Sequence, residues 1–441
     1  MAQLTEYDLI IVGAGIAGLR VGIEALKANP KLKCCILEKY GYMGGRVVTW
    51  RKKLPKVGEV SWENGAGRIS TSHKKVLGLI KEYGLTFVPL SADTGFIDTG
   101  RRGEGLEKNM FSDLLEVYLD PIMRLSKDVL TAHTLKELLD SVIGPKDARG
   151  FYEMFPYFCE IHTLRADIAL SAFHHEMHSN EGFGVCVEGL SSIIDAMVRD
   201  FVGRGGWVLK GVDVQRVLKA VGGGVRVECR YFEENGEELR TEFVGCACVL
   251  ALHSEAVRKI DGVKHLRVLK HLKMMPLLRM YAVFPVKSVS DGVWFEGLPK
   301  IVTNSPVRYI IPVNAAKGII MISYTDGGDA AKWGRMIDSR GEAVVQECVM
   351  KEIRRLFPDR SIPDPLFFKL HYWDSGCTYW LPGRYDVAEE SAASLHPLGG
   401  EIPGLFMCGE SFAIHQTWME SALTQADALL GLRAFKDVLR V

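Results

Sequence analysis

The sequence predicts an α/β fold of two interleaved domains, and two observations predict it. The first is a run of signals at the start of the chain. An apolar stretch from Leu9 to Val12 meets the pattern Gly13-Ala14-Gly15-Ile16-Ala17-Gly18, then helical spacing to Lys27 and a second apolar stretch, Cys34 to Leu37, that ends in Glu38. The second is another Gly-bearing segment, Gly404 to Gly409, near the opposite end of the 441-residue chain. A prior of about 150 residues per domain suggests two or three domains. Glycine segments from both ends serving one site make it two, each discontinuous. The expected spans are 1–72, 184–272 and 398–441 for one domain, and 73–183 and 273–397 for the other.

The opening unit carries its own chemistry. A short run that is apolar at every position reads as a strand buried on both faces. Gly13 permits the tight turn after it, Gly15 lets the backbone approach a pyrophosphate, and Gly18 lets the helix pack closely on the sheet. The pyrophosphate then meets the helix N-terminus at Ile16 and Ala17. Glu38 stands 25 residues after Gly13, followed by Lys39. Its carboxylate accepts from ribose hydroxyls and disfavours a 2′-phosphate there. The unit reads as a Rossmann-like dinucleotide site.

Helical spacing continues over His73 to Tyr83, Leu106 to Arg124, Thr134 to Val142 and Leu190 to Phe201. Strand patterns follow at Trp207 to Lys210, Val212 to Val217, Val225 to Val227 and Val244 to Leu252. Further strands are expected at Leu277 to Val286, Ile301 to Thr303, Arg308 to Pro312 and Ile319 to Tyr324. Helices are expected at Gly341 to Leu356 and Trp418 to Val438. The last carries Asp427, Arg433, Lys436 and Asp437, so it reads as a packing helix and not a membrane tail.

Composition narrows the function classes. Lys plus Arg and Asp plus Glu are both 54, so the net charge is zero and no basic footprint for nucleic acid is present. The 47% hydrophobic and 24% charged residues exclude a disordered chain. Ten cysteines with no C-x-x-C spacing read as small buried hydrophobes of a reducing compartment, with no metal site. With no basic or apolar leader at the start, a soluble cytoplasmic protein is expected. Nothing fixes an oligomeric state.

Four further segments carry a resemblance: Tyr40-Gly41-Tyr42-Met43-Gly44-Gly45-Arg46-Val47, Trp62-Glu63-Asn64-Gly65-Ala66-Gly67-Arg68, Pro403-Gly404-Leu405-Phe406-Met407-Cys408-Gly409-Glu410-Ser411 and Gln416-Thr417-Trp418-Met419-Glu420-Ser421-Ala422. Together they resemble the flavin-containing amine oxidases, which include monoamine, polyamine and L-amino-acid oxidases. The resemblance implies FAD. It places Gly13, Gly15 and Gly18 at the pyrophosphate, Glu38 at the adenosine ribose and Val214 at adenine. Gly45 and Arg46 then fall at the phosphate or ribityl region, Gly67 and Arg68 along the flavin edge, and Gly409 and Glu410 at the pyrophosphate and ribityl chain. Met419 and Ala422 open the C-terminal helix, whose free amides stabilise negative charge on the ring.

The implied reaction removes a hydride equivalent from the α-carbon of a neutral amine. The imine hydrolyses, and O2 takes the electrons to give hydrogen peroxide. An aromatic, poorly hydrated pocket serves this, because desolvation lowers an amine pKa. Trp418 aligns with an aromatic-cage position. The segment His371-Tyr372-Trp373-Asp374-Ser375-Gly376-Cys377-Thr378-Tyr379-Trp380 supplies Trp373 for the flavin face and Tyr379 or Trp380 for the cage. The lysine that many members hold near the flavin is replaced by Arg279, and Lys300 is the candidate to take its place. Cys377 falls near a covalent-attachment motif, but the loop back from Pro382 is two residues shorter than that pattern, so non-covalent FAD is expected.

Substrate class stays open at this point. A carboxylate-bearing amine calls for Arg279, Arg308 or Arg165, and a polyamine for Glu160, Glu176 or Glu181. His162, His174, His175 and His178 fit no metal spacing and read as a helix face. Two other readings share the FAD motifs: a C–C desaturase or protoporphyrinogen-oxidase-like flavoprotein, and an FAD-binding interaction protein with weak catalysis.

Overall fold

The first strand, Thr5–Val12, has parallel neighbours on both sides, Cys34–Glu38 and Glu238–Leu250, which is why its apolar run is unbroken. Leu9 and Ile11 pack on one face against the helices Ile16–Ala28, Ser191–Gly203 and Met419–Gly431; Ile10 and Val12 enter a second core on the other. Trp207–Lys210 extends the sheet beyond Cys34–Glu38, and Asp213–Lys219 and Val225–Phe232 join Glu238–Leu250 as an antiparallel meander. Leu405–Met407 pairs in parallel with the last residues of Glu238–Leu250, so strands from both ends of the chain share one seven-stranded sheet. The computed structural model describes residues 5–440 except 92, 98, 100–106, 109, 156, 175–181, 233–237 and 287–291.

A second seven-stranded sheet is built around two long strands, Leu272–Val283 and Phe367–Trp380. Its order continues through Ile319–Asp326, Tyr309–Asn314, Lys300–Thr303, Thr94–Ile97 and Glu107–Lys108. Alternation along a strand sends successive side chains to opposite faces. Leu278, Met280 and Ala282 pack against the helices Gly327–Arg340 and Glu342–Leu356. The intervening residues Leu277, Arg279 and Tyr281 turn the other way, toward a cavity between the two sheets.

Elements that differ from the sequence reading include three near the site. The C-terminal helix is two, Met419–Gly431 and Arg433–Leu439, parted by an extended Leu432; Gly431 is the kind of residue that ends a helix. The aromatic segment around Trp373 is a strand and not a loop. The helix Gly327–Arg340 was not expected from a segment that opens on two glycines; a Cβ at Gly328 would press on Phe158 at 2.6 Å, and one at Gly334 on Tyr372 at 2.5 Å. Among the described residues, no helix is long and apolar enough to cross a membrane.

Candidate functional site

The site begins where the first strand ends. Gly13 has φ +105°, and a Cβ there would lie 2.6 Å from the Ala251 carbonyl oxygen. A Cβ at Gly18 would lie 2.2 Å from the Gly13 carbonyl oxygen, so helix and strand touch through hydrogen alone. Gly15, the residue before the helix Ile16–Ala28, has open space where a Cβ would stand and offers no side-chain cap. The first amides of that helix, Ile16 and Ala17 among them, have no helical acceptor and sit at the cavity wall. Together these residues form a glycine cradle with room beside its free amides.

Glu38 completes it. The carboxylate accepts from the Ala14 amide at 2.8 Å and the Tyr40 amide at 2.9 Å. Burial pushes its pKa up, and these backbone donors oppose the shift. Lys39 pairs with Asp213 at 3.2 Å, next to buried Val214. Together these groups form a floor suited to a ribose and a base.

The next layer joins distant segments. The Gly44 amide donates to the Ala14 carbonyl at 2.9 Å, and Gly45 follows with φ +59°. Arg46 then donates to the Gly376 carbonyl at 3.0 Å and to the Glu410 carboxylate at 2.8 Å. Glu410 is buried and also accepts from the Thr417 amide at 2.7 Å and the Thr378 hydroxyl at 3.3 Å. Gly409 lies just before it and Met419 opens the helix just after it, with Ala422 one turn on.

The far arm is aromatic. The Arg68 guanidinium lies 4.0 Å over the Phe183 ring and 5.8 Å from that of Trp418, and donates to the Tyr157 hydroxyl at 2.6 Å. Tyr157, Tyr309 and Tyr324 form a chain of rings with 5.5 Å steps. The Trp373 indole N–H donates to Asn64 through its carbonyl at 3.0 Å and its side-chain oxygen at 3.1 Å. Arg279 stacks 5.2 Å over Tyr324, and its Nη1 donates to the Glu63 carbonyl at 3.3 Å.

Cradle, clamp and aromatic arm line one cavity of about 1610 Å³. It brings together Gly13, Gly15, Ile16, Ala17, Glu38, Lys39, Gly45, Arg46, Gly67, Arg68, Val214, Arg279, Trp373, Tyr379, Gly409, Glu410, Trp418, Met419 and Ala422. Gly18 does not line the cavity: it stands behind the wall, in the packing position expected of it and not at the pyrophosphate where the resemblance placed it.

Two of the residues expected at the reacting end do not line it. Lys300 starts the strand Lys300–Thr303, and two strands separate that strand from Leu272–Val283. That is a spacing of about 14 Å at ~4.8 Å per strand, so Arg279 alone of the two reaches the cavity. Trp380 is fully buried in the core, donating from its indole to the Ala413 carbonyl at 2.9 Å; the next residue back, Tyr379, faces the cavity.

The substrate-class candidates also separate. Arg165 is held by Asp167 and the Tyr385 carbonyl, while Arg308 donates to the carbonyls of Tyr152, Glu153 and Phe155. Neither lines the cavity, whereas Glu160 does. His162 stacks on Phe158 at 4.1 Å, with its pKa pushed down to about 4 by burial. Glu176, Glu181, His175 and His178 lie outside the described residues, as does the side chain of His174. Phe183, Tyr157, Tyr309 and Tyr324 were missed because they come from three separate segments with no motif of their own.

The sequence pattern assigns no role to Glu63. It lines the cavity, accepts from the Leu190 amide at 2.9 Å and the Thr49 hydroxyl at 3.0 Å, and burial raises its pKa to about 7. From about pH 4.5 to 7 the folded protein therefore holds a proton the unfolded chain has lost, so this group's contribution to stability falls as pH rises through that window and is level above it. Melting temperatures of wild type and Glu63→Gln across pH 4.5–8 are expected to show the decline only in wild type; parallel curves would reject the assignment.

The residues present fit a flavin dinucleotide: the glycine cradle leaves room for phosphates, and a buried acid, Glu38, faces the cavity beside it. A family description, flavin containing amine oxidoreductase, matches residues 16–428. A putrescine oxidase double mutant with redesigned cofactor binding superposes with a TM-score of 0.72 at 15% identity over 100% of both chains. A protein of Exiguobacterium sp. 255-15, provisionally assigned as a protoporphyrinogen oxidase, gives a TM-score of 0.68 at 13% identity over 99% of both. A mitochondrial L-2-hydroxyglutarate dehydrogenase of Dictyostelium discoideum is 67% identical over 33 residues, 8% of this chain and 7% of that protein. The match along nearly the whole chain decides the relationship: this protein belongs to the flavin-containing amine oxidoreductase family.

Proposed function

We propose that this chain holds FAD without a covalent bond and oxidises the C–N bond of a small amine or amino acid to an imine, with O2 reduced to hydrogen peroxide. The observation that carries the reading is the continuity of the cavity, from the phosphate cradle at Gly13–Ala17 to the aromatic arm at Trp418. When bound, the flavin supplies the two-electron acceptor for the hydride equivalent that leaves the substrate. The protein's residues bind and orient. Phe183, Tyr309, Tyr324 and Trp418 exclude water around the amine, and desolvation beside the Arg68 and Arg279 cations favours its neutral form. That form alone can release hydride from the α-carbon while nitrogen's lone pair becomes the imine bond.

Non-covalent binding is supported by Cys377. It lines the cavity, but burial pushes its thiol pKa up to about 12, leaving almost no thiolate at neutral pH. Acid precipitation of the purified protein is expected to leave FAD in the supernatant; a yellow pellet would exclude this part of the reading.

A second reading, a substrate with a carboxylate beside its amine, is favoured by Arg68, whose guanidinium is presented at the cavity wall on two aromatic faces. Anaerobic mixing with monoamines, polyamines and amino acids tests both at once. Bleaching of the visible flavin band by one class, with peroxide formed on admitting air, is the expected result. A flavin that no amine or amino acid bleaches would instead favour a desaturase-like or non-catalytic role.

A further inference from the structure

Arg279 lines the cavity between the two sheets. It lies on the strand Leu272–Val283 opposite His371, two positions along from Leu277, which pairs with Trp373. Period-2 alternation therefore puts Arg279 and Trp373 on the same, cavity-facing side of the sheet. Its guanidinium is fixed from three directions: Nη1 donates to the Glu63 carbonyl, the Tyr324 ring lies against it, and it presses on the backbone at Gly67. Contact with Gly67 is so close that a Cβ there would fall 2.2 Å from Nη1. The Nε–H is buried, and no atom of the described residues accepts from it. The rest of the guanidinium is partly exposed at the cavity wall, so its charge acts on whatever the cavity holds.

We propose that Arg279 sets the charge of the flavin site: a permanent cation, held at the cavity wall where the flavin ring gains negative charge on reduction. This rests on the flavin reading of the cavity. An arginine stays protonated at every accessible pH, so it is no base and its influence is constant where a lysine's would titrate. It acts as a positioning and electrostatic residue, favouring the electron-rich form of the ring over the oxidised one.

Two equilibrium measurements on the flavin-loaded protein test this without turnover. One is the midpoint potential. The other is the affinity for sulfite, whose sulfur lone pair forms a bond to oxidised flavin and leaves the ring negatively charged with no electron donor needed. Arg279→Met is expected to raise the sulfite Kd about tenfold or more and to lower the midpoint potential by about 30 mV, the two-electron equivalent of tenfold. Arg279→Lys is expected to stay within about threefold of wild type at pH 7, since the charge is kept. Gly67→Ala keeps Arg279 but displaces its guanidinium, and is expected to shift both quantities in the same direction as the methionine variant. Should Arg279→Met lose its flavin, the Gly67→Ala and Arg279→Lys pair still decides. Unchanged sulfite affinity and potential in Arg279→Met or in Gly67→Ala would overturn the proposal and leave the amine oxidase reading standing. A wild-type protein that binds no flavin would overturn both.

Discussion

Gly18→Ala is expected to yield a colourless, destabilised protein, whereas Gly15→Ala, three residues earlier, is expected to fold normally and bind flavin weakly. The difference is steric. At Gly18 the new methyl would stand 2.2 Å from the Gly13 carbonyl oxygen and 3.1 Å from both Ala251 Cβ and Ile11 Cγ2. The nearest obstacle is backbone, so relief requires the helix Ile16–Ala28 to move off the sheet. Overpacking of this kind costs about 1–3 kcal/mol, and the movement carries the amides of Ile16 and Ala17 away from the phosphate position. At Gly15 the backbone is extended, φ −78° and ψ 176°, and a methyl meets no protein atom within 4 Å. Its expected effect is to occupy the open space that the flavin reading assigns to a phosphate. Flavin-to-protein absorbance ratios together with denaturant midpoints measure the two effects separately. Wild-type flavin content in Gly18→Ala, or a midpoint loss in Gly15→Ala equal to that of Gly18→Ala, would contradict the assigned roles.

This contrast shows why that part of the site was legible in sequence. The cradle is local: a strand, a turn, a helix and an acid within 38 residues, each fixed by steric rules that act over a few residues. The far arm is not local. Lys300 was a reasonable substitute for the missing lysine only if the next strand in sequence were the next strand in the sheet, and it is not: Ile319–Asp326 and Tyr309–Asn314 intervene. Trp380 was misjudged for a simpler reason. With the segment read as a strand, period 2 from Trp373 leads through Ser375 and Cys377 to Tyr379 and sends Trp380 to the opposite face. Phe183, Tyr157 and Tyr309 converge through tertiary packing, for which spacing along the chain holds no signal.

The clamp at Glu410 joins both kinds of information, and its removal is expected to have the largest effect on stability. Glu410 is buried and answers four donors: Arg46 Nη2, the Thr417 amide, and the hydroxyl and amide of Thr378. Those donors belong to the Gly44–Arg46 turn, the strand Phe367–Trp380 and the approach to the C-terminal helix, three segments far apart in sequence. Thr417 is held at φ +75°, a conformation a β-branched residue adopts only when its surroundings impose it. Glu410→Ala leaves the Arg46 guanidinium with the Gly376 carbonyl as its one remaining partner here, and breaking such a pair from one side costs about 3–5 kcal/mol. Glu410→Gln keeps an acceptor and the shape, so its loss is expected near 1–2 kcal/mol. If the clamp acts as a unit, Arg46→Ala combined with Glu410→Ala costs less than the sum of the two single changes, by about 0.5–3 kcal/mol. Additive effects in urea unfolding of the apoprotein would mean that each residue acts alone. Performing the cycle without flavin matters, because bound cofactor stabilises the native state by mass action and would mix a binding loss into every measured difference.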